Sequence, residues 1–93
     1  MRFSFALEIL LTNGDTVRRS GWPAGAFLFV VPGSTITVES GRPLGDGAPH
    51  LVGSAVTYSR HIDLYDGQGA LGPWVPSPAD LVAEDWQLAN EPG

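Results

Sequence analysis

An α+β fold, a small antiparallel β-sheet domain with an N-terminal helix and a short helical turn near the C-terminus, follows from three observations. Residues 3–12 repeat apolar side chains at helical spacing. Six later stretches read as strands separated by turn residues. The segment Pro73–Trp86 (PWVPSPADLVAEDW) carries the start signals of one helical turn. In it Ser77 is suited to be an N-cap, because its hydroxyl can accept a free amide of the first turn. Pro78 follows at the first helical position, where its missing N–H costs nothing. Asp80 stands three residues after Ser77 and completes a capping box. Leu81 and Val82 are expected to turn inward, with Trp74 and Trp86 as large apolar bodies at either side.

In chain order, FSFALEILLT (3–12) places Phe3, Ala6, Leu7, Leu10 and Leu11 on one helical face, with Ser4 as the cap. Asn13-Gly14 stops it, since Gly takes the left-handed conformation without steric cost. Thr16–Arg18 reads as a short strand. Arg19–Gly25 is a loop, and its Trp22 serves either as a core plug or as a stacking platform. AFLFVV (26–31) is the clearest strand, and it is apolar on both faces. Such a strand needs cover on both sides. One short helix covers one face only, so the other points to a subunit partner or a second sheet layer, and the domain is expected to be oligomeric. Pro32-Gly33 reads as a turn leading into a hairpin partner, Ser34–Val38.

Residues 39–54 hold many chain breakers and few periodic apolar residues, the pattern of a functional or disordered loop. Ala55–Leu64 reads as one strand. Val56, Tyr58, Arg60, Ile62 and Leu64 share one face, and Thr57, Ser59, His61 and Asp63 share the other. Asp66-Gly67 turns the chain into a strand at 70–75. Glu84–Ala89 closes the sheet with Trp86 and Leu88 on one face, and Asn90–Gly93 is a frayed tail.

A chain of 93 residues suggests one domain. Its hydrophobic content of 43% is enough for a core and too high for a disordered chain. No apolar run approaches the ~20 residues of a membrane helix, and no signal-peptide pattern opens the chain. The net charge is −5, and all five basic residues are Arg. That balance disfavours nucleic-acid binding through phosphates. The absence of Cys excludes disulfides, cysteine–zinc sites and cysteine nucleophiles, and suits a reducing compartment.

Catalysis is disfavoured. Ser59, His61 and Asp63 look like parts of a triad, but neighbours on one strand face stand side by side, and no nucleophile elbow is present. No zinc spacing, calcium loop, phosphate loop or dinucleotide fingerprint appears, so no metal or cofactor is expected. Asp80 and Asp85 read as a cap and a rim charge. What remains is a binding module of Arg donors, loop aromatics and a polar strand face. Guanidinium forks suit phosphates and aromatic faces suit bases, which favours a nucleotide-like small molecule.

The ordered run of Arg19-Ser20-Gly21-Trp22, His61-Ile62-Asp63 and Pro73-Trp74-x-x-Ser77-x-x-Asp80-x-x-Ala83-x-Asp85-Trp86 resembles a small phage and prophage domain family. Its best-understood members are the Thoeris anti-defence proteins of the second type. The likeness spans Phe3 to Leu88. Two departures stand out: Pro23-Ala24-Gly25 replaces a polar turn, and in the loop 39–54 only Arg42-Pro43-Leu44 matches. The resemblance implies a non-enzymatic sponge, a homotetramer that holds a cyclic ADP-ribose-type signal, and in some members cyclic dinucleotides, in the host bacterial cytoplasm. The alternative is a small phage structural or protein-interaction module.

The candidate ligand-binding residues are these. Trp22 stacks on a base, with Phe27 among the loop and strand aromatics. Arg18 or Arg19 pairs with a pyrophosphate, and only one of them does so, because neighbours on a strand point opposite ways. Tyr58, Arg60, His61 and Asp63 lie on the strand expected to approach a neighbouring subunit. Asp63 accepts from ribose hydroxyls or an adenine amine. Trp74 and Ser77 complete the set.

Overall fold

The structure is a computed structural model and describes residues 1–89; the tail expected at 90–93 lies outside the described residues. Helix α1 spans Phe3–Glu8 and continues as a π-helical turn, Ile9–Asn13. Ser4 does not cap it. Arg2 occupies the N-cap position without a side-chain bond, its carbonyl accepting from the Phe5 and Ala6 amides, and Ser4 falls inside the first turn. Gly14, at φ +70°, ends the element as expected. Strand β1 (Val17–Arg19) follows, then β2 (Phe27–Val31) and β3 (Ser34–Thr37).

Residues 39–54 are neither structureless nor a plain loop. They form helix α2 (Pro43–Gly47) and a 3₁₀ turn at Pro49–Leu51. Pro43 starts α2 at a position where no amide is missed. Strands β4 (Ala55–Tyr58), β5 (His61–Tyr65) and β6 (Leu71–Pro73) lead to helix α3 (Pro78–Val82) and the last strand, β7 (Trp86–Leu88). The strands expected at 70–75 and 84–89 are thus present but shorter.

The main sheet has the order β6-β5-β2-β1-β7 and is antiparallel throughout. Strands β3 and β4 form a separate two-stranded sheet. Two expectations are corrected here. Segment 34–38 does not pair with AFLFVV, and 55–64 is not one strand. Pro32-Gly33 is a kink where a hairpin turn was expected, and Ser59-Arg60 is the matching break on the opposite side. The pairing offset runs unchanged through both: Val31 lies opposite His61, and Ser34 lies opposite Tyr58. The two ladders are therefore one long ribbon, bent at a single level. The chemistry fits, because Pro32 cannot donate a ladder bond and Gly33 sits against the Tyr58 carbonyl, where a Cβ would come within 2.8 Å.

The upper half of the ribbon, closed by residues 38–54, projects from the body as an arm. The molecule measures 49 × 26 × 24 Å, and its radius of gyration of 16.6 Å exceeds the roughly 12 Å expected for a compact chain of this length. Within the arm, Val38 is buried, its amide donates to the Ser54 carbonyl, and its own carbonyl accepts from the Gly53 amide.

The core lies between α1 and one face of the main sheet. Ala6, Leu10, Val17, Leu28 and Trp86 are buried at its centre, with Ile62 and Leu64 packed against them. The three tryptophans meet there edge to face, at 5.5 Å for Trp22–Trp86, 5.9 Å for Trp74–Trp86 and 6.4 Å for Trp22–Trp74. Phe3 adds a ring 5.3 Å from Trp86. The capping box of Ser77 and Asp80 is present in full. Leu81 and Val82 do not turn inward; both are exposed, and Ala83 packs on the core in their place. One helical turn is too short to direct two successive residues to the same side.

On the opposite sheet face, Phe27, Phe29, Tyr65 and Leu71 line a shallow, solvent-facing hollow. Phe27 is 5.4 Å from the Tyr65 ring and 6.1 Å from Phe29. The strand AFLFVV is thus covered by the chain's own helix on the Leu28 side only.

Candidate ligand-binding site

The predicted site residues are spread over the main sheet, the arm, the Trp22 loop and the cap of α3. Ser77 is committed to the cap: its hydroxyl accepts from the Asp80 amide at 3.1 Å, and its amide donates to Asp80 Oδ2 at 2.8 Å. Arg19 is committed as well. On β1 it faces Trp86 of β7, and its guanidinium donates to Asp80 Oδ1 at 3.0 Å and to Asp85 Oδ1 at 2.9 Å. Ser20 adds a hydroxyl to Asp85 Oδ2 at 3.0 Å. The cap and rim charge expected of Asp80 and Asp85 are both seen, joined by one cation.

The electrostatics follow this geometry. Hydrogen bonds from Arg19 and Ser20 hold the Asp85 carboxyl below the ordinary carboxylate range against the opposing effect of burial. At Asp80 burial pushes upward, but the Ser77 amide and hydroxyl and the Arg19 guanidinium outweigh it, and the net direction is down. The same bonds to Asp85 and Asp80 raise the Arg19 guanidinium.

Arg18 takes no part in that cluster; its guanidinium donates to the Trp22 carbonyl at 2.6 Å and to the Arg19 carbonyl at 3.3 Å. Trp22 packs as the core-plug reading of its loop expects. It packs in the aromatic core, and with Pro23, Ala26, Leu64 and Asp66 it also lines a hollow of about 260 Å³. Asp66 is fixed there by the Gln68 and Ala70 amides, which hold its carboxyl below the usual range.

Arg60, His61 and Trp74 come together with Leu7, Leu11 and Val30 around a second hollow of about 360 Å³. Arg60 donates to the Leu11 carbonyl at 2.6 Å, closing the end of the π-helical turn. The polar strip splits from the rest of its predicted strand. His61 and Asp63 stand on the outer sheet face with Nε2 and Oδ1 3.4 Å apart, while His61 Nδ1 lies 3.1 Å from the Ser59 carbonyl oxygen. The imidazole thus meets the backbone of Ser59 and not its hydroxyl. Phe27 stands on this outer face too, at its aromatic end.

Tyr58 is separate from all of these. The kink carries it onto the arm, where it lines a cleft of about 550 Å³ with Ile36, Glu39, Arg42 and Leu44. Arg42 was not among the predicted site residues. The signal that could have found it was present: a lone cation in a chain without Lys, between Gly41 and Pro43, inside a segment already marked as unusual.

Among the described residues no group of three or more His, Cys, Asp or Glu is placed to hold a metal ion, and no helix is long and apolar enough to cross a membrane. A family model described as a Thoeris anti-defense 2-like domain matches residues 1–89. The protein Thoeris anti-defense 2 of Bacillus phage SP01 is 31% identical over 91 residues, covering 97% of this chain and 96% of that protein. With nearly the whole of both chains aligned, and with the aromatic core and capped turn that carried the resemblance present in the fold, the chain belongs to the Thoeris anti-defense 2-like family.

Proposed function

We propose that this protein is a non-enzymatic sponge of phage origin. It binds a cyclic ADP-ribose-type immune signal in the host bacterial cytoplasm and withholds it from its effector without degrading it. Cyclic dinucleotides are a second ligand class. The working form is a homotetramer. Family membership over residues 1–89 carries the anti-Thoeris role. Mass action carries the mechanism, since a tight site in excess lowers the free messenger.

Three features of the chain support the finer reading. The hollows hold aromatic and guanidinium groups together, the pairing that nucleotides require. The Ser59, His61 and Asp63 cluster lacks a hydroxyl–imidazole bond, which favours binding over hydrolysis. The outer aromatic face of β2, β5 and β6 supplies an apolar surface for another subunit.

The test is to incubate pure protein with cyclic ADP-ribose isomers and cyclic dinucleotides, remove the protein by heat, and assay the supernatant. Ligand depleted and then returned unchanged supports the sponge. Ligand consumed means an enzyme. No depletion leaves a protein-interaction module, for which the same outer face is the contact.

A further inference from the structure

The turn that carries Trp22 is clamped by one side chain. Arg19 and Trp22 are its two ends, and the Trp22 amide donates to the Arg19 carbonyl at 3.2 Å. The Arg18 guanidinium spans the same two residues. Its Nε donates to the Arg19 carbonyl at 3.3 Å, and one Nη donates to the Trp22 carbonyl at 2.6 Å. Among the described residues no backbone amide donates to the Trp22 carbonyl, so Arg18 is the group that fixes it. A planar fork with donors at fixed spacing suits two carbonyls one turn apart, and an ammonium group lacks that geometry.

The rest of the loop is held only at its margins. At the entry, the Ser20 amide donates to the Asp85 carbonyl at 3.1 Å, and the Ser20 hydroxyl to Asp85 Oδ2 at 3.0 Å. At the exit, the Ala26 amide donates to the Pro23 carbonyl at 3.1 Å, and Gly25, at φ +84°, lies against the Gly67 backbone. Between them, Gly21 precedes Trp22 and brings the widest backbone freedom of any residue. Without a clamp the turn has several positions open to it.

The indole end of Trp22 is held differently. It is half-buried, meets Trp86 edge-on at 5.5 Å, and borders the hollow shared with Pro23, Ala26, Leu64 and Asp66. Ring packing therefore restrains one end of the residue and Arg18 the other. Both are needed to set the ring at one height and tilt beside the hollow.

We infer that Arg18 is a positioning residue for ligand capture: by clamping the Arg19 and Trp22 carbonyls it holds the Trp22 indole ready, and it does not itself contact the signal. The inference deepens the sponge reading and rests on it. It removes Arg18 from the candidate pyrophosphate contacts, because its fork is engaged with the backbone. A ring ordered beforehand loses less freedom on binding, so the clamp raises affinity without touching the guest.

The test labels the full chain with fluorotryptophan and titrates it calorimetrically with cyclic ADP-ribose isomers and cyclic di-AMP. The chain has three Trp residues, and the fluorine resonance missing from Trp22→Phe belongs to Trp22. In Arg18→Met that resonance is expected to shift or broaden before ligand is added, while those of Trp74 and Trp86 stay. Binding should weaken roughly two- to tenfold, the size of re-ordering one side chain. Arg18→Lys keeps the charge but not the fork, and should fall between wild type and Arg18→Met. In the Trp22→Phe background the effect of Arg18→Met should shrink. If Arg18→Met loses the near-ultraviolet circular dichroism of the core, Arg18→Lys carries the same comparison. Wild-type affinity in the Arg18 variants overturns the positioning role and leaves the sponge reading standing. Wild-type affinity in Arg18→Lys beside a loss in Arg18→Met also overturns it, because charge alone would then matter. Losses that multiply in the double variant, or a Trp22 resonance that does not move, overturn it as well, since Arg18 would then act independently of Trp22. No nucleotide binding by the wild-type chain overturns both readings.

Discussion

Arg19 and Asp80, 61 residues apart, meet at 3.0 Å and tie the first strand of the sheet to the capped turn that precedes its last strand. Asp80 serves two elements at once, since its other oxygen receives the Ser77 amide. Trp86 completes the knot by donating its indole N–H to the Asp80 carbonyl at 3.0 Å. Asp80, which completes the cap of α3, therefore also holds β1 through its carboxylate and the edge strand β7 through its backbone carbonyl.

The cap is the simplest point to probe. Ser77→Ala removes the hydroxyl acceptor and should lower stability by about 1 kcal/mol. For a chain of this size that corresponds to a fall in Tm of roughly 4–8 °C by calorimetry. Ser77→Asp should recover most of it. An unchanged Tm for the alanine variant would show that the turn is held by packing alone.

Acid sensitivity should follow from the same cluster. Asp80 and Asp85 are held below the ordinary carboxylate value in the folded chain. Their contribution is therefore fully present above the unfolded value of about 3.9 and is lost as pH falls through the lower folded values. Stability measured by urea titration should be level at neutral pH and drop below about pH 4. The double variant Asp80→Asn, Asp85→Asn should be less stable at pH 7 and show a shallower acid limb. Parallel acid limbs in the two proteins would remove these carboxylates from the account.

Trp22 lies in the core and also lines a hollow, so a blunt truncation mixes two effects. Trp22→Ala should cost near the lower end of the about 3–5 kcal/mol seen for buried aromatic truncations, because the ring is half-buried. Trp22→Phe keeps a ring against Trp86 and should cost less than half as much. If the phenylalanine variant keeps its fold and oligomer but binds nucleotide more weakly, the indole contributes to capture directly. Wild-type affinity in that variant restricts Trp22 to packing.

Gly67 offers a backbone test. It has φ +85°, and a Cβ there would lie 2.6 Å from the Ala24 carbonyl oxygen, which cannot swing aside. Gly67→Ala should loosen the β5–β6 turn and raise amide exchange at Gln68 and Ala70, both bonded to Asp66. Gly69, also at positive φ but with open space around its Cβ position, should tolerate Ala with a smaller effect. Equal exchange in the two variants would mean that φ strain, and not the close approach, sets the cost.

The outer face should govern assembly. Phe29→Glu places a charge among Phe27, Phe29, Tyr65 and Leu71. The particle is expected to become smaller by light scattering while the circular dichroism of the tryptophan core is retained. A wild-type chain that already runs as a single copy would remove this face from the assembly argument.

Local signals were legible wherever one residue type had one physical use. Ser77-Pro78-x-Asp80 could only be a cap, and Gly14 could only end a helix. AFLFVV announced a strand with two apolar faces, and the outer hollow at Phe27 and Phe29 is the face it left without cover. The reading failed where long-range pairing decided. Alternation across 55–64 is the same for one strand as for two strands in a bent ribbon, so it could not reveal that Tyr58 and His61 serve different sheets. Arg19 looked like a ligand donor because its partners, Asp80 and Asp85, are distant in sequence. Arg42 escaped notice for the opposite reason: it has no side-chain partner among the described residues, and a turn of five residues gives little periodicity to read.

The bend at Pro32-Gly33 and Ser59-Arg60 has a mechanical corollary. Hydrogen-bond register is continuous on both sides of it, so the projecting end can pivot at that level without slipping by a residue. Every side chain keeps its face through such a swing. A swing of the tip would therefore reach Val31 and His61 down the two strands as a change of angle, with the pairings of the body left as they were.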